Sequence, residues 1–432
     1  MRDRAAPVDP RDALRIYAYF VPLAFLLYVL DPVGPFFDIA ITYVLKDHLH
    51  VGLGEAATFR VLTAVPVYAA VVFGFVRDRW SPFGQHDRGY FLLFAPLLAL
   101  LMGWLASRPL TYAGLVFGVM AAMVLTRFIV AAYQGLMALL AQEHAMSGRL
   151  ATVWQFTTFT AALTSAATSG LVAQHTSPQS IFGVIAIAAV ATAVYALWKP
   201  GVVYAQTYRA AEARGSDLIG DLRRLFRHRA IYPAMAAMLM FQFSPGQGIV
   251  LQYYLVDRLQ ATDAIYGYWY AAFLAGFLPM FLVYGYLCQR VRFGRLLTLS
   301  ALITIPQVIP LAFIHSPIGA VVLAVPIGMM GGLMWAAIND LAMRSCPRGL
   351  HGTLMMFVSG MNALGIRGGD LIGTRIYIWG GDDGFRWCVA VTTLMYVLLL
   401  GVIRCVPEHV TATADGEVWV PESAGGRAPT AH

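Results

Sequence analysis

Five charged side chains crowd one short stretch, GFVRDRWSPFGQHDRGY at residues 74–90: Arg77, Asp78, Arg79, Asp87 and Arg88. Long apolar runs flank it on both sides. Carboxylates and guanidiniums placed so closely can pair with one another or hold a neighbouring segment, and Gly74 and Gly84 permit close helix approach and a tight turn beside them. A second stretch, GYLCQRVRFGR at residues 285–295, repeats the outline through Gly285, Arg290 and Arg295, with Gln289 in place of the acid.

Other ionisable side chains are sunk in apolar sequence, where a charge costs at least ~2.5–3.5 kcal/mol on insertion scales and marks a functional position by default. Asp31 and Asp38 lie about two turns apart on nearly one helical face, with Pro32, Gly34 and Pro35 loosening the chain between them. Arg127 lies at similar depth in a later run, and Arg367 and Asp370 are spaced to meet on one helix face. Gln134, Gln242, Gln247, Gln252, Trp335, Asn339 and Asn362 add amides and an indole. Such groups either hydrogen-bond and stack on a planar polar solute or tie helices together. Arginines slightly outnumber carboxylates at depth, a mild preference for an anionic organic substrate. A carboxyl away from water takes up a proton unless a cation restores its charge, so Asp31 and Asp38 are the candidates for proton coupling.

Catalytic and metal chemistry find no such candidates. Cys288, Cys346, Cys388 and Cys405 are single and far apart, and the ten histidines lie mostly in loops or near the ends of apolar runs, without paired metal-ligand spacing. No GxxxxGK[ST] loop is present for nucleotide hydrolysis. The expectation is a protein that is not an enzyme and needs neither cofactor nor metal.

The elements that must position these residues follow from composition. Of 432 residues 59% are hydrophobic and 12% charged, and the mean hydropathy is +0.66, outside the range of an ordinary soluble domain. Runs long enough for a ~30 Å hydrocarbon core recur about twelve times, near 16–45, 56–77, 89–107, 110–140, 150–174, 179–199, 230–257, 264–288, 296–314, 317–344, 351–379 and 384–405. Gly, Ala and Pro are frequent within them and period-2 alternation is missing, so an all-α integral membrane bundle is expected rather than a barrel. The basic N-terminus precedes a run too long for a signal peptide, which reads as the first span.

The net charge of +7 does not indicate nucleic acid, because the basic residues gather in alternate loops. That asymmetry places both termini in the cytoplasm. The chain then divides into a cytoplasmic N-terminus (1–15), six spans (16–199), a linker (200–229), six more spans (230–405) and a disordered cytoplasmic tail (406–432). The linker ends in SDLIGDLRRLFRHR, in which Leu218, Ile219, Leu222, Leu225 and Phe226 share one helical face among arginines; it reads as an interfacial helix on anionic lipid or as a solvated basic linker. The halves echo each other. YVLKDHL (43–49) precedes the first charged loop as YYLVDRL (253–259) precedes the second, and SGRLAT (147–152) matches RGLHGT (348–353). Parallel six-helix halves around a midplane site are suited to exposing that site alternately to each side.

Gly74, Asp78, Arg79, Gly84 and Arg88 resemble the loop between spans two and three of the major facilitator superfamily, which opens G-x-x-x-D-R and continues with a glycine and further basic residues. Gly285, Arg290 and Arg295 resemble its weaker second copy. FDIAITYVLKDHL (37–49) and the run Asp78, Gly84, Tyr90 look like the folate/biopterin transporter branch, and a pigment-transporter branch has a similar loop. The glycine and basic run sit later here than in the usual pattern. The resemblance implies that Asp78 latches the halves by meeting the N-terminus of span eleven near His351 to Thr353, with Arg79 and Arg88 orienting it, and that Gln289 makes a weaker second latch. It also implies that spans one, four, seven and ten line a central cavity, where Asp31 or Asp38 pairs with Arg127; a purely structural ion pair is the alternative.

The function expected is therefore secondary active transport of a small organic solute, with a pteridine- or folate-like anion as the candidate the branch resemblance suggests, across the cytoplasmic (inner) membrane by alternating access. Span five lacks the G-P motif of drug/proton antiporters, so proton-coupled symport or uniport is favoured over drug efflux. The implied partners are the solute, protons and membrane lipids, for a chain acting as a monomer. A transporter-like receptor or assembly factor without net flux is the alternative.

Overall fold

The computed structural model describes residues 2–4, 9–34, 36, 37, 41, 44, 45, 49–51, 53–175, 178–204, 218–261 and 263–419. Asp38, most of the branch-like stretch 37–49, the linker residues 205–217 and the last part of the tail lie outside them. The first helix, α1 (Pro10–Leu30), opens on Asp9, whose side chain accepts from the Arg11 amide at 3.0 Å, with Pro10 in the first turn where a missing N–H does no harm. It stops at Asp31, the residue before Pro32, because proline disfavours helical backbone in its predecessor. The single span expected over 16–45 is thus interrupted, and the interruption carries a charged side chain.

The next two helices, α2 (Leu53–Tyr68) and α3 (Ala70–Arg79), form a rod interrupted just after Pro66. There follow α4 (His86–Ser107), α5 (Tyr112–Glu143), α6 (Ser147–His175) and α7 (Pro178–Tyr195), then α8 (Leu218–Arg227) in the linker. Beyond it α9 (Ile231–Gln242) breaks over 243–248 before α10 (Ile249–Tyr253), where Pro245 and the positive φ of Gly248 interrupt the expected span 230–257. The rest are α11 (Asp263–Leu287), α12 (Phe293–Thr304), α13 (Pro317–Arg344), α14 (His351–Gly380), α15 (Gly384–Arg404) and the short α16 (Glu408–Thr411). Thr111 and Ser316 cap α5 and α13 by accepting from the amides three residues on.

Among the described residues eight helices are long and apolar enough to cross a membrane, the last, His351–Arg404, comprising α14 and α15 through the turn at 381–383; Gln179–Tyr195 and Ile231–Gln242 are apolar but shorter. Large apolar side chains such as Leu100, Ile187, Val322 and Trp379 point outward, as a lipid-facing surface requires. Inside, helices meet through small residues. A Cβ added to Gly328 would strike the Phe273 carbonyl and one on Gly276 the Val325 carbonyl, so α11 and α13 pack backbone against backbone.

One pair of three-residue strands departs from the helical pattern among the described residues. β1 (Arg2–Arg4) runs antiparallel to β2 (Glu417–Trp419), with Arg2 opposite Trp419. Both described termini therefore lie side by side at one end of the bundle. This also corrects the expectation of a disordered tail: residues 406–419 are folded onto the bundle, because Asp415 finds two guanidiniums and backbone donors there.

Candidate functional site

At the end of the bundle that carries both termini, α3 delivers Asp78 to the first turn of α14. Asp78 Oδ1 accepts the Gly352 N–H at 3.0 Å, and Oδ2 accepts the Thr353 N–H at 2.7 Å and its hydroxyl at 2.6 Å. A helix leaves its first N–H groups unpaired and partly positive, so a carboxylate is the natural partner. Gly74, one turn before, makes the approach possible: a Cβ there would collide with the Gly352 carbonyl and come within 2.9 Å of the Thr353 Cα. The residue that orients Asp78 is not the expected one. Arg77, 3% exposed, donates through Nη1 to Asp78 at 2.7 Å and through Nε to Asp87. Arg79 instead lies over the Phe75 ring, and Arg88 donates to the Ala196 and Leu197 carbonyls at 2.8 and 3.1 Å, tying this loop to the end of α7. Helical geometry explains the exchange, since consecutive residues are about 100° apart and only Arg77 faces the interior with Asp78. Gly84 has φ +65°, the left-handed backbone the turn needs.

Gln142 extends the same contact. Its amide donates to the Met343 and Cys346 carbonyls, both at 2.8 Å, and its oxygen lies 3.1 Å from His351 Nε2. Above this closed end lies a cavity of about 770 Å³ between the two halves of the chain. Asp31, Arg127, Gln134, Gln242, Gln247, Trp335, Asn339, Asn362, Arg367 and Asp370 all reach it, from helices far apart in sequence. Arg127 Nη2 is 2.5 Å from Asp31 Oδ2, a charge contact without hydrogen-bond alignment. The Asp31 side chain is 24% exposed and that of Arg127 8%, so the acid is the more open of the two to the cavity. Gln242 donates to Asn362, Ser359 to Gln134 at 3.2 Å, and the Trp335 indole to Gln155 at 2.7 Å. Asp370 meets Arg367 at 3.8 Å and accepts the Ile249 amide at 3.5 Å. Gln252, on the short α10 beyond the break at 243–248, does not line the cavity.

A profile of the Major Facilitator Superfamily matches residues 36–367, more than half of the chain. The chain belongs to the major facilitator superfamily. It is a multi-pass membrane transporter of that family. Solved structures agree in fold. The E. coli fucose:proton symporter FucP, in its N162A form, superposes with a TM-score of 0.70 at 13% identity, covering 92% of this chain and all of its own. FucP in the outward conformation gives 0.68 at 15% identity over the same shares. A bacterial homologue of the iron transporter ferroportin, outward-facing, gives 0.63 at 15% identity, covering 90% of this chain and 98% of its own. Among curated protein sequences none is significantly similar.

In this superfamily transporter the second loop is built differently from the first. Gly285 does serve close approach, for a Cβ there would meet the Thr152 side chain at 2.9 Å. Gln289 is exposed and donates to the Gly285 carbonyl of its own helix at 2.8 Å, so the expected second latch is not formed by it; its side chain is occupied locally. Arg290 lies over the Tyr286 ring, and Arg295 is exposed. Asp415 reaches this place instead. Its Oδ1 accepts the Gly148 N–H at 3.0 Å and its Oδ2 the Arg149 Nε at 2.8 Å, with Arg344 Nη2 3.6 Å away. Burial pushes the Asp415 carboxyl above its ordinary value, Arg344 and Arg149 draw it back, and Asp340 adds to the rise. Sequence reasoning missed Arg77 as the orienting cation, Gln142, Asp340 with Arg344, and Asp415. Only Arg77 and the Asp340/Arg344 pair had a signal, adjacency to Asp78 and an i,i+4 spacing.

Proposed function

We propose that the chain moves a small polar organic solute across the cytoplasmic membrane by alternating access, using twelve spans in two six-helix halves with both termini in the cytoplasm. The observation that carries this reading is the closure of one end. A cavity with a charged pair inside it lies beyond a sealed contact of Asp78, Arg77, Gln142 and His351, as expected of a state open only to the opposite side. The basic loops that share the sealed end favour its being cytoplasmic. Superfamily likeness to a proton symporter, together with Asp31 at the cavity wall, supports proton-coupled symport through that carboxylate. The paired amides and the Trp335 indole suit a planar or hydroxylated solute, and Arg127 and Arg367 suit a carboxylate on it.

Uptake into proteoliposomes with and without an inward proton gradient tests this reading. A solute panel would include fucose and, for the folate/biopterin likeness, folate and biopterin. Accumulation that collapses with a protonophore is the expected result. Binding of a panel member without any flux would favour a receptor, and transport indifferent to the gradient would leave a uniporter.

A further inference from the structure

Two helix N-termini meet the opposite half of the chain at the sealed end, and they are built alike. α14 opens His351, Gly352, Thr353 and α6 opens Ser147, Gly148, Arg149, so in each the second and third residues present unpaired N–H groups. Asp78 accepts those of Gly352 and Thr353 at 3.0 and 2.7 Å; Asp415 accepts those of Gly148 and Arg149 at 3.0 and 3.4 Å. Each carboxylate also has guanidinium partners, the buried Arg77 at 2.7 Å in the first case, the partly exposed Arg149 at 2.8 Å and Arg344 at 3.6 Å in the second. In both helices the second residue is glycine, where a Cβ would press to 2.9 Å from Asp78 Oδ1 or 3.0 Å from Asp340 Oδ2.

The two carboxylates arrive by different routes. Asp78 is part of its own half, on α3. Asp415 comes from beyond the last span, while the loop that repeats Asp78's outline offers only the exposed Gln289. The tail crosses from one half to the other within a few residues. The Thr413 carbonyl accepts from Phe293 N at 3.1 Å, Asp415 N donates to the Cys288 carbonyl at 2.9 Å, and Gly416 N donates to the Ala145 carbonyl at 2.6 Å. Glu417–Trp419 then pairs with Arg2–Arg4. Gly416, at φ +88°, makes the turn between these contacts.

We infer that Asp415 is the second gate carboxylate of the transport cycle, and that residues 413–419 form a strap which holds the terminus-bearing end shut and must lift from α6 when that end opens. This rests on the alternating-access reading. A latch carried on a span moves with its half, whereas a strap of seven residues can leave its seat without moving a transmembrane helix; once it has lifted, the Asp78 contact alone holds the end shut, and the end opens more readily.

Hydrogen–deuterium exchange on the full-length protein in lipid nanodiscs tests this without any solute. Asp415→Asn should speed exchange at least about tenfold, not only in 413–419 and 145–152 but also in 350–354, since opening the end exposes both helix N-termini together. Acceleration confined to the tail and 145–152, or none at all, would overturn the strap. Should Asp415→Asn not yield folded protein, Arg149→Gln removes the ion pair and keeps the backbone bonds; it should give the same three-segment response, reduced, and protection of 350–354 unchanged by it would again overturn the idea. If the end opens as expected while no solute is accumulated by the wild type, the gate stands and the transport reading fails.

Discussion

Asp78 Oδ2 accepts both the backbone N–H and the hydroxyl of Thr353, at 2.7 and 2.6 Å, across 275 residues of chain. One oxygen thus joins the two halves by two bonds, and the other oxygen takes Gly352 and Arg77. An amide in this place can accept on one side only. Asp78→Asn should lower flux at least about tenfold, since charge-assisted bonds are worth about 1.5–3 kcal/mol each, while solute binding stays within about twofold of wild type. Uptake and equilibrium binding on the same preparation separate the two. Lost binding with intact cycling would make Asp78 a ligand rather than a latch.

Gln289 is exposed and bonds its own helix, so Gln289→Ala should change transport by less than about twofold. A loss comparable to that of Asp78→Asn at matched expression would show a contact that forms only in another state of the cycle.

Gly74 packs against the Gly352 backbone with no room for a methyl group. Gly74→Ala should therefore destabilise the sealed state by about 1–3 kcal/mol, the usual range for overpacking. A lowered unfolding temperature in detergent and faster exchange of 350–354 are expected; an unchanged melt would mean that α3 and α14 can separate freely.

Arg127 is the cation that compensates Asp31 at the cavity wall. Arg127→Gln leaves that carboxylate without its charge partner, and folding yield should fall. Adding Asp31→Asn should restore yield whichever role the pair has. Proton-driven accumulation lost with exchange preserved in the double variant identifies Asp31 as the coupling acid; wild-type accumulation in Asp31→Asn removes it from the proton path.

His228, in the linker just after α8, has its imidazole pushed below the ordinary value of 6.5, by burial first and then by His409, with the Ser345 backbone opposing. Its neutral form is the one the fold prefers. The contribution of this packing is complete above pH 6.5 and declines as pH falls through 6.5 toward the lower folded value. Exchange of 225–231, corrected for its intrinsic pH dependence, should rise between pH 7.5 and 5.5 in the wild type and much less in His228→Gln.

Hydrophobic run length and the spacing of polar punctuation were enough to place the helices, because crossing a membrane demands about 20 apolar residues and satisfied backbone within each segment. The expected limits 317–344, 351–379 and 384–405 end within a residue of α13, α14 and α15. The repeated loop likewise exposed Gly74, Asp78 and Gly84, whose residue types are dictated by local backbone and by a charge at a helix end. Local interruptions were harder to read: Asp31 before Pro32 ended α1, and Pro245 with Gly248 split the apolar run 230–257, since a proline inside apolar sequence can bend a helix or stop it.

Which partners the charged side chains found was settled by tertiary structure alone. Arg77 rather than Arg79 orients Asp78, a matter of which side of α3 faces inward, and Arg88 goes to carbonyls at the end of α7. Asp415 lies in a stretch whose composition reads as an unstructured tail, yet it ends buried between Arg149 and Arg344. No periodicity in sequence marks it, because its partners come from helices 266 and 71 residues back in the chain, and only the folded bundle brings a helix N-terminus and two guanidiniums to the place where the tail can reach them.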